Sequence, residues 1–347
     1  LINSFPDNPI LHNINGACHQ GLGDLDSAVM SFQRAIAINT DYSKAHYNLA
    51  GTFFELGKLE DSVKSYELSL SIDPNYAEAH NNLGNVLRQL GDLDYALKSY
   101  KKAFKLDPNY VEAIFSASII LQTLGQFEDM IEYLERVLIL KPNISEAHNN
   151  LGIALKELGQ YSKAITSYQK ALEIQPNYLE AHNNLGNAFK DIEHIEEAMI
   201  NYETAIELEP NSAEIHNNFG SLLSENLSRH DDAIISFKKA ISLDLYFYPA
   251  HLNLGHTFVA LNQYESAVEA YKSSMTIKPD LGNILGNLLN AKMNCCNWEK
   301  YNSLLNIKNI KKEFLDGKKV IAPFFLLSLI DDPALQRKAT ETNIYSF

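Results

Sequence analysis

Cysteine is scarce: Cys18, Cys295 and Cys296 are the only three in 347 residues. An odd number with two adjacent argues against a disulfide framework and for a reducing compartment. Basic residues are also few, 29 Lys and Arg against 43 Asp and Glu, for a formal charge of −14. Affinity for phosphate backbones comes from clustered Lys and Arg, so nucleic acid is not an expected partner. No run approaches the roughly 18 apolar residues of a membrane-spanning helix; the longest stretch, Val320 to Ile330, is shorter and contains Pro323. The N-terminus lacks the basic start, apolar stretch and cleavage site of a secretory signal. A cytoplasmic location without membrane contact is expected, and Leu1 in place of Met suggests a piece of a longer protein. No glycine-rich phosphate loop, paired-carboxylate site or nucleophile beside a base is present, so neither a cofactor nor a catalytic residue is expected in this chain.

What the sequence does have is self-similarity. AHNNLG occurs at 147–152 and 181–186 and, inside AEAHNNLGNVLRQLGDLDYALKSYKKAFKLDPNY, within 77–110. Aligned on that block, units fall at 9–42, 43–76, 77–110, 111–144, 145–178, 179–212, 213–247 and 248–281, with a degenerate ninth from 282. A fixed period of this length is the signature of a stacked repeat. Apolar residues three and four apart predict two helices per unit, the first with Leu or Ile at its fourteenth position (Leu22, Leu56, Leu90, Leu124, Leu158, Ile192, Leu261) on its apolar face. Gly at the fifteenth position (Gly23, Gly57, Gly91, Gly125, Gly159) ends that helix in the left-handed conformation. The second helix reads Leu93, Ala96, Leu97, Tyr100, Ala103, Phe104 in the third unit, and Pro74, Pro108, Pro142, Pro176, Pro210 and Pro279 stop it. Small residues such as Gly84, Gly152, Gly186 and Gly220 allow the helices to approach closely.

This small-large pattern resembles the tetratricopeptide repeat and covers about 280 residues of the chain. The resemblance implies an all-α fold, a right-handed superhelical solenoid with the first helix of each pair on the concave side and a helical cap at the C-terminus. The expected organisation is eight repeats over 1–281, a degenerate ninth repeat and capping helix over 282–317, and a linker over 318–347 leading to a catalytic domain that is missing here.

Histidines recur at the fourth position: His12, His46, His80, His148, His182, His216 and His251. Successive units lie roughly 10 Å apart or more, whereas ligands of one zinc ion lie about 2 Å from it. No metal site is expected, and the rings are read as packing between helices. Asparagines recur at the sixth position: Asn48, Asn82, Asn150, Asn184, Asn218, Asn253 and Asn287, joined at the ninth by Asn85 and Asn187. Positions two, six, nine and thirteen share one face of the first helix, an exposed polar strip in this reading. A side-chain amide carries both donor and acceptor, so a row of them could pair with the main chain of an extended peptide; caps or bridges between helices are the other use for such residues. The fourth unit breaks the row with Ile114, Phe115 and Ser116, Phe115 being either a ligand contact point or part of a drifted repeat, and Tyr246, Phe247 and Tyr248 are expected to fill the junction after the seventh unit, an exposed patch there being instead the mark of a partner site.

Beyond the repeats, Cys296-Asn297-Trp298 and then PFFLLSLIDDPALQ from Pro323 resemble the segment joining repeats to catalysis in O-linked N-acetylglucosamine transferases, especially the bacterial SPINDLY-like members. By that resemblance Asn82, Asn150, Asn184, Asn218 and Asn253 would contact the backbone of protein substrates. The implied function is a module binding extended peptides or proteins in its concave groove, the substrate-recruiting arm of a glycosyltransferase, itself inactive. The alternative is an adaptor or scaffold with no associated transferase. A carboxylate-clamp co-chaperone is disfavoured, because Asn81, Asn149, Asn183 and Asn217 stand at the fifth position, where such clamps place Lys.

Overall fold

A computed structural model describes residues 5–279 and 284–296. Among them are seventeen α-helices and no strand. The first compact unit, ending at Pro176, contains α1 (Pro9–Gly21), α2 (Leu25–Ile38), α3 (Ser43–Glu55), α4 (Leu59–Ile72), α5 (Ala77–Gln89), α6 (Leu93–Leu106), α7 (Val111–Thr123), α8 (Phe127–Leu140), α9 (Ser145–Glu157) and α10 (Tyr161–Ile174). The second, from Asn177, contains α11 (Leu179–Asp191), α12 (Ile195–Leu208), α13 (Ala213–Glu225), α14 (His230–Leu243), α15 (Tyr248–Ala260), α16 (Tyr264–Ile277) and α17 (Ile284–Asn294). Odd and even helices alternate as the first and second members of the sequence repeat, so the all-α repeat expectation holds. The expected capping helix, the Trp298 segment and the linker from 318 lie outside the described residues. None of the described helices is long and apolar enough to cross a membrane.

The turn inside each pair follows from one backbone requirement. Gly91 has φ of 83°, its N–H donates to Arg88 O, and the Asp92 N–H donates to Leu87 O at 2.9 Å. This double closure satisfies carbonyls that the end of α5 would otherwise leave bare. Where glycine is absent the backbone keeps the conformation: Glu193 and Asn262 have φ of 61° and 56°, and His194 and Gln263 make the same closing bonds to Phe189 and Phe258. The extra residue of the seventh repeat is absorbed here, with Ser228 at φ 52° and the Arg229 N–H reaching Leu223 O.

The fourteenth-position residues stand at the edge of the apolar face. Leu22, Leu56, Leu90, Leu124, Leu158, Ile192 and Leu261 are the C-caps of their helices. Leu56, Leu158, Ile192 and Leu261 are half-buried, whereas Leu90 and Leu124 are exposed and Leu22 is 81% exposed.

Packing within a pair sets an aromatic ring against a glycine. Tyr100, Tyr168, Tyr202, Phe237 and Tyr271 are buried on the even helices, directly over Gly84, Gly152, Gly186, Gly220 and Gly255. The fourth repeat solves the same problem differently: Ser118 replaces the glycine, and the facing position holds Leu134, both fully buried. Around it Ile114, Ala117, Ile120, Leu121, Met130 and Val137 form an aliphatic core against which Phe115 packs. Phe115 is therefore a core-facing residue of a drifted repeat. Tyr246 does not fill the seventh junction; it is 78% exposed, because its N–H turns back to Asp244 Oδ1 and places it at the tip of the turn.

Candidate peptide-binding face

The recurrent histidines tie down the turns between repeats. The Nε2 of His12, His46, His80, His148, His216 and His251 lies 2.8–3.2 Å from the carbonyl oxygen six residues earlier, at Pro6, Thr40, Pro74, Pro142, Pro210 and Leu245. A carbonyl only accepts, so each Nε2 carries the proton and the ring serves as a donor. Burial holds His80 below the usual histidine range, opposed by its bond to Pro74. In the fourth repeat Ile114 has no donor, and Arg136 reaches from α8 to the equivalent Pro108 carbonyl at 2.9 Å. No group of three potential metal ligands occurs among the described residues.

The sixth-position asparagines follow a register of 35 residues. Asn48 Nδ2 donates to Asn13 Oδ1 at 2.9 Å, Asn82 Nδ2 to Tyr47 Oη at 2.9 Å, and Asn218 Nδ2 to Asn183 Oδ1 at 3.0 Å. One inserted residue shifts the next partner by one, so Asn253 Nδ2 donates to Asn217 Oδ1 at 3.0 Å. Asn287 Nδ2 instead meets His256 Nε2 at 3.0 Å. The fifth-position side chains Asn13, Tyr47, Asn183 and Asn217 thus receive the amide of the following repeat. These acceptors had been weighed in the sequence only as a missing clamp, although the pairing of NN at 81–82, 149–150, 183–184 and 217–218 was the available signal. In the second unit the links join into one run: Asn253 to Asn217, Asn217 Nδ2 to Asn218 Oδ1, Asn218 to Asn183, and Asn183 Nδ2 to Glu214 Oε1. The ninth-position residues Asn85 and Asn187 accept the hydroxyls of Tyr100 and Tyr202 at 2.8 and 2.6 Å.

The exposed strip of the sequence reading is thus half-buried at its centre: Glu78 and Gln89 are exposed, while Asn82 and Asn85 are intermediate. One hydrogen bond uses only part of an amide's capacity. The broken fourth repeat changes the picture most. Ser116 and Phe115 occupy the sixth and fifth positions there. Consequently Asn81 Oδ1 is buried with no donor, and the fifth position to which the repeat register would direct the Asn150 amide is a phenylalanine. Asn184 sits at the same half-buried register as Asn150 and is engaged. Restoring the rung with Ser116→Asn is expected to raise stability by about 1 kcal/mol, the net worth of one hydrogen bond. A higher urea midpoint relative to the parent chain would show it.

On this same face a cavity of about 340 Å³ is lined by Gln20, Tyr47, Asn48, Tyr66, Asn82 and Asn85 among others. Burial, then the neighbouring Glu78, pushes the Tyr47 phenol up, and burial likewise pushes the Tyr66 phenol up. These two wall hydroxyls are therefore neutral at any physiological pH, and Glu55 stands beside them. In the second unit, Lys190 Nζ contacts Ser221 Oγ at 2.7 Å and Glu225 Oε2 at 2.8 Å. Lys190 is thus a bridge between α11 and α13.

Models of the tetratricopeptide repeat match residues 52–91 and 154–192, 77–110, 133–166 and 201–235, and 111–144, 179–212 and 248–281. Together they span well over half the sequence. The chain belongs to the tetratricopeptide-repeat family. Its solved neighbours include a tetratricopeptide repeat protein from Parabacteroides merdae, 18% identical over 72% of this chain and 98% of that one, with a TM-score of 0.61. Another is the C-terminal part of a tetratricopeptide repeat protein from Cytophaga hutchinsonii, 19% identical over 69% and 98%, at 0.57. YrrB, described as a tetratricopeptide-repeat protein with an unusual peptide-binding site, is 24% identical over 52% and 92%, at 0.49. No curated protein matches the sequence. Tetratricopeptide repeats are protein–protein interaction modules, and that is the general role the family assigns to this chain.

Proposed function

We propose that the face formed by the odd-numbered helices binds extended polypeptides through their main chain. The observation carrying this reading is Asn150: a half-buried amide in register with the other rungs, deprived of its inter-repeat acceptor by Phe115 and holding both donor and acceptor for a ligand. The cavity bordered by Asn48, Asn82 and Asn85 supplies room on the same face. An extended chain advances about 3.3–3.6 Å per residue, so about three peptide residues span one repeat, and a ligand can meet several rungs in succession.

The test uses fluorescein-labelled unstructured peptides of about a dozen residues, followed by anisotropy. Asn150→Ala is expected to weaken binding about 3- to 10-fold, equivalent to one hydrogen bond, with an unchanged melting temperature because no internal bond is lost. Scrambling the peptide should matter less than N-methylating its backbone. Peptides that lose binding on scrambling but not on N-methylation would refute main-chain recognition.

The proposal extends to a parent enzyme, in which these repeats recruit substrates for a protein glycosyltransferase. It is supported by the resemblance of residues 296–298 and 323–336 alone, and the matched repeat models support a plain scaffold equally. The coding sequence after Phe347 separates the two: a two-lobed nucleotide-sugar transferase supports recruitment, and a stop codon supports the scaffold.

A further inference from the structure

The even-numbered helices carry a separate feature. In a chain of charge −14, α6 concentrates Lys98, Lys101, Lys102 and Lys105 along a groove of about 500 Å³ floored by Leu70, His80 and Leu83, with Tyr95 on its rim. Tyr95 is 62% exposed. Lys101 is half-buried over the ring of Tyr133, whereas Lys98, Lys102 and Lys105 are exposed, and none of the three takes part in an ion pair among the described residues. The next even helix, α8, presents the opposite sign. Glu128, Glu132 and Glu135 are exposed on it and likewise unpaired, and Ile139 beyond them is 81% exposed. A groove of about 600 Å³ begins at Glu135, Leu138 and Ile139.

Both charged rows span seven residue steps of helix, with spacings of four and three, or about 10.5 Å at 1.5 Å per residue. Two rows of equal length, opposite charge and adjacent position make a self-complementary surface. A two-fold axis between the helices sets the basic row of each copy against the acidic row of the other, which is the arrangement of a closed isologous dimer. It also covers Tyr95 and Ile139, two large apolar side chains that a monomer leaves in water. Other acidic partners could fill the basic groove alone, but only a second copy uses both rows at once.

We infer that this chain self-associates as a two-fold dimer through the outer faces of α6 and α8, with Lys98, Lys102 and Lys105 of each copy facing Glu128, Glu132 and Glu135 of the other. The inference is independent of peptide binding, which uses the odd-numbered helices.

Sedimentation velocity on the full chain tests it. At about 0.01 M salt, where the screening length is about 30 Å, a species of twice 39.0 kDa is expected. At about 1 M salt, where that length falls to about 3 Å, the equilibrium moves toward the monomer. The triple variants Lys98→Glu/Lys102→Glu/Lys105→Glu and Glu128→Lys/Glu132→Lys/Glu135→Lys should each associate at least about tenfold more weakly, since like charges then face each other. Far-ultraviolet circular dichroism establishes that both are folded. In an equimolar mixture of the two variants an all-acidic surface meets an all-basic one, which restores all six pairs, so the heterodimer should form where neither variant alone associates. The chain carrying both triple changes restores the complementarity with reversed sign and should dimerise again. A wild-type monomer at about 100 μM in low salt, a concentration that populates even weak complexes, overturns the inference. So does a dimer that neither triple variant weakens, or one that the doubly reversed chain fails to recover.

Discussion

Replacing Gly152 with valine is expected to lower stability by about 3 kcal/mol, at the upper end of the usual cost of overpacking a core. A Cβ at this position would lie 2.5, 2.7 and 2.8 Å from three ring atoms of Tyr168, closer than carbon atoms pack. Tyr168 is fully buried, so its ring has no solvent-filled space to retreat into, and close-packed interiors pass such strain to their neighbours. Alanine should cost less. It places only the Cβ, it recovers up to about 1 kcal/mol of helix propensity over glycine, and the second repeat already pairs Ala50 with Tyr66, both buried. The fourth repeat shows the compensating change, Ser118 opposite Leu134. Tyr168→Leu in the Gly152→Val background is therefore expected to return part of the loss, a coupling that a double-mutant cycle measures. Urea unfolding of the four proteins suffices, and a valine variant with an unaltered midpoint would show that the ring is not held as described.

The glycines were legible in the sequence as places of close approach because the repeat prints them many times, whereas the ring that covers each one came only from the structure. Period, helix count, the glycine turn and the proline stops are all local, and each recurs with its own steric cause. The fourteenth-position residues were harder to place because they cap their helices, where the stripe ends, and they range from half-buried to exposed. The donors and acceptors of the asparagine rows were harder still. Asn48 and Asn13, or Asn218 and Asn183, are partners 35 residues apart, and nothing in either helix alone distinguishes an amide facing a ligand from one facing the next repeat. The same holds for Arg136, which takes over a histidine's carbonyl in the one repeat without that histidine. A substitution in one helix had been answered in another, and only the stacking of the two reveals it.

Asn217→Ala should cost about 1–3 kcal/mol. Its side chain is 7% exposed and works in both directions, Oδ1 accepting from Asn253 at 3.0 Å and Nδ2 donating to Asn218 at 3.4 Å. Truncation removes both bonds and leaves the Asn253 amide and the Asn218 carbonyl in a half-buried site. Leaving buried polar groups unsatisfied costs more than the net value of the bonds themselves. The contrast with Asn150 separates the two uses of these amides. Where the fifth-position acceptor is present, the sixth-position amide joins one repeat to the next, and its removal should be read in unfolding. Where Phe115 takes the acceptor's place, the register offers the amide no such acceptor, and under the proposed function its removal should be read in binding. If Asn217→Ala melts like the parent chain, the amide run contributes nothing to stacking, and its conservation of register across α11, α13 and α15 needs a different cause. If it melts lower while Asn150→Ala does not, then the break in the fourth repeat is what frees a rung for recognition in an otherwise internally bonded row.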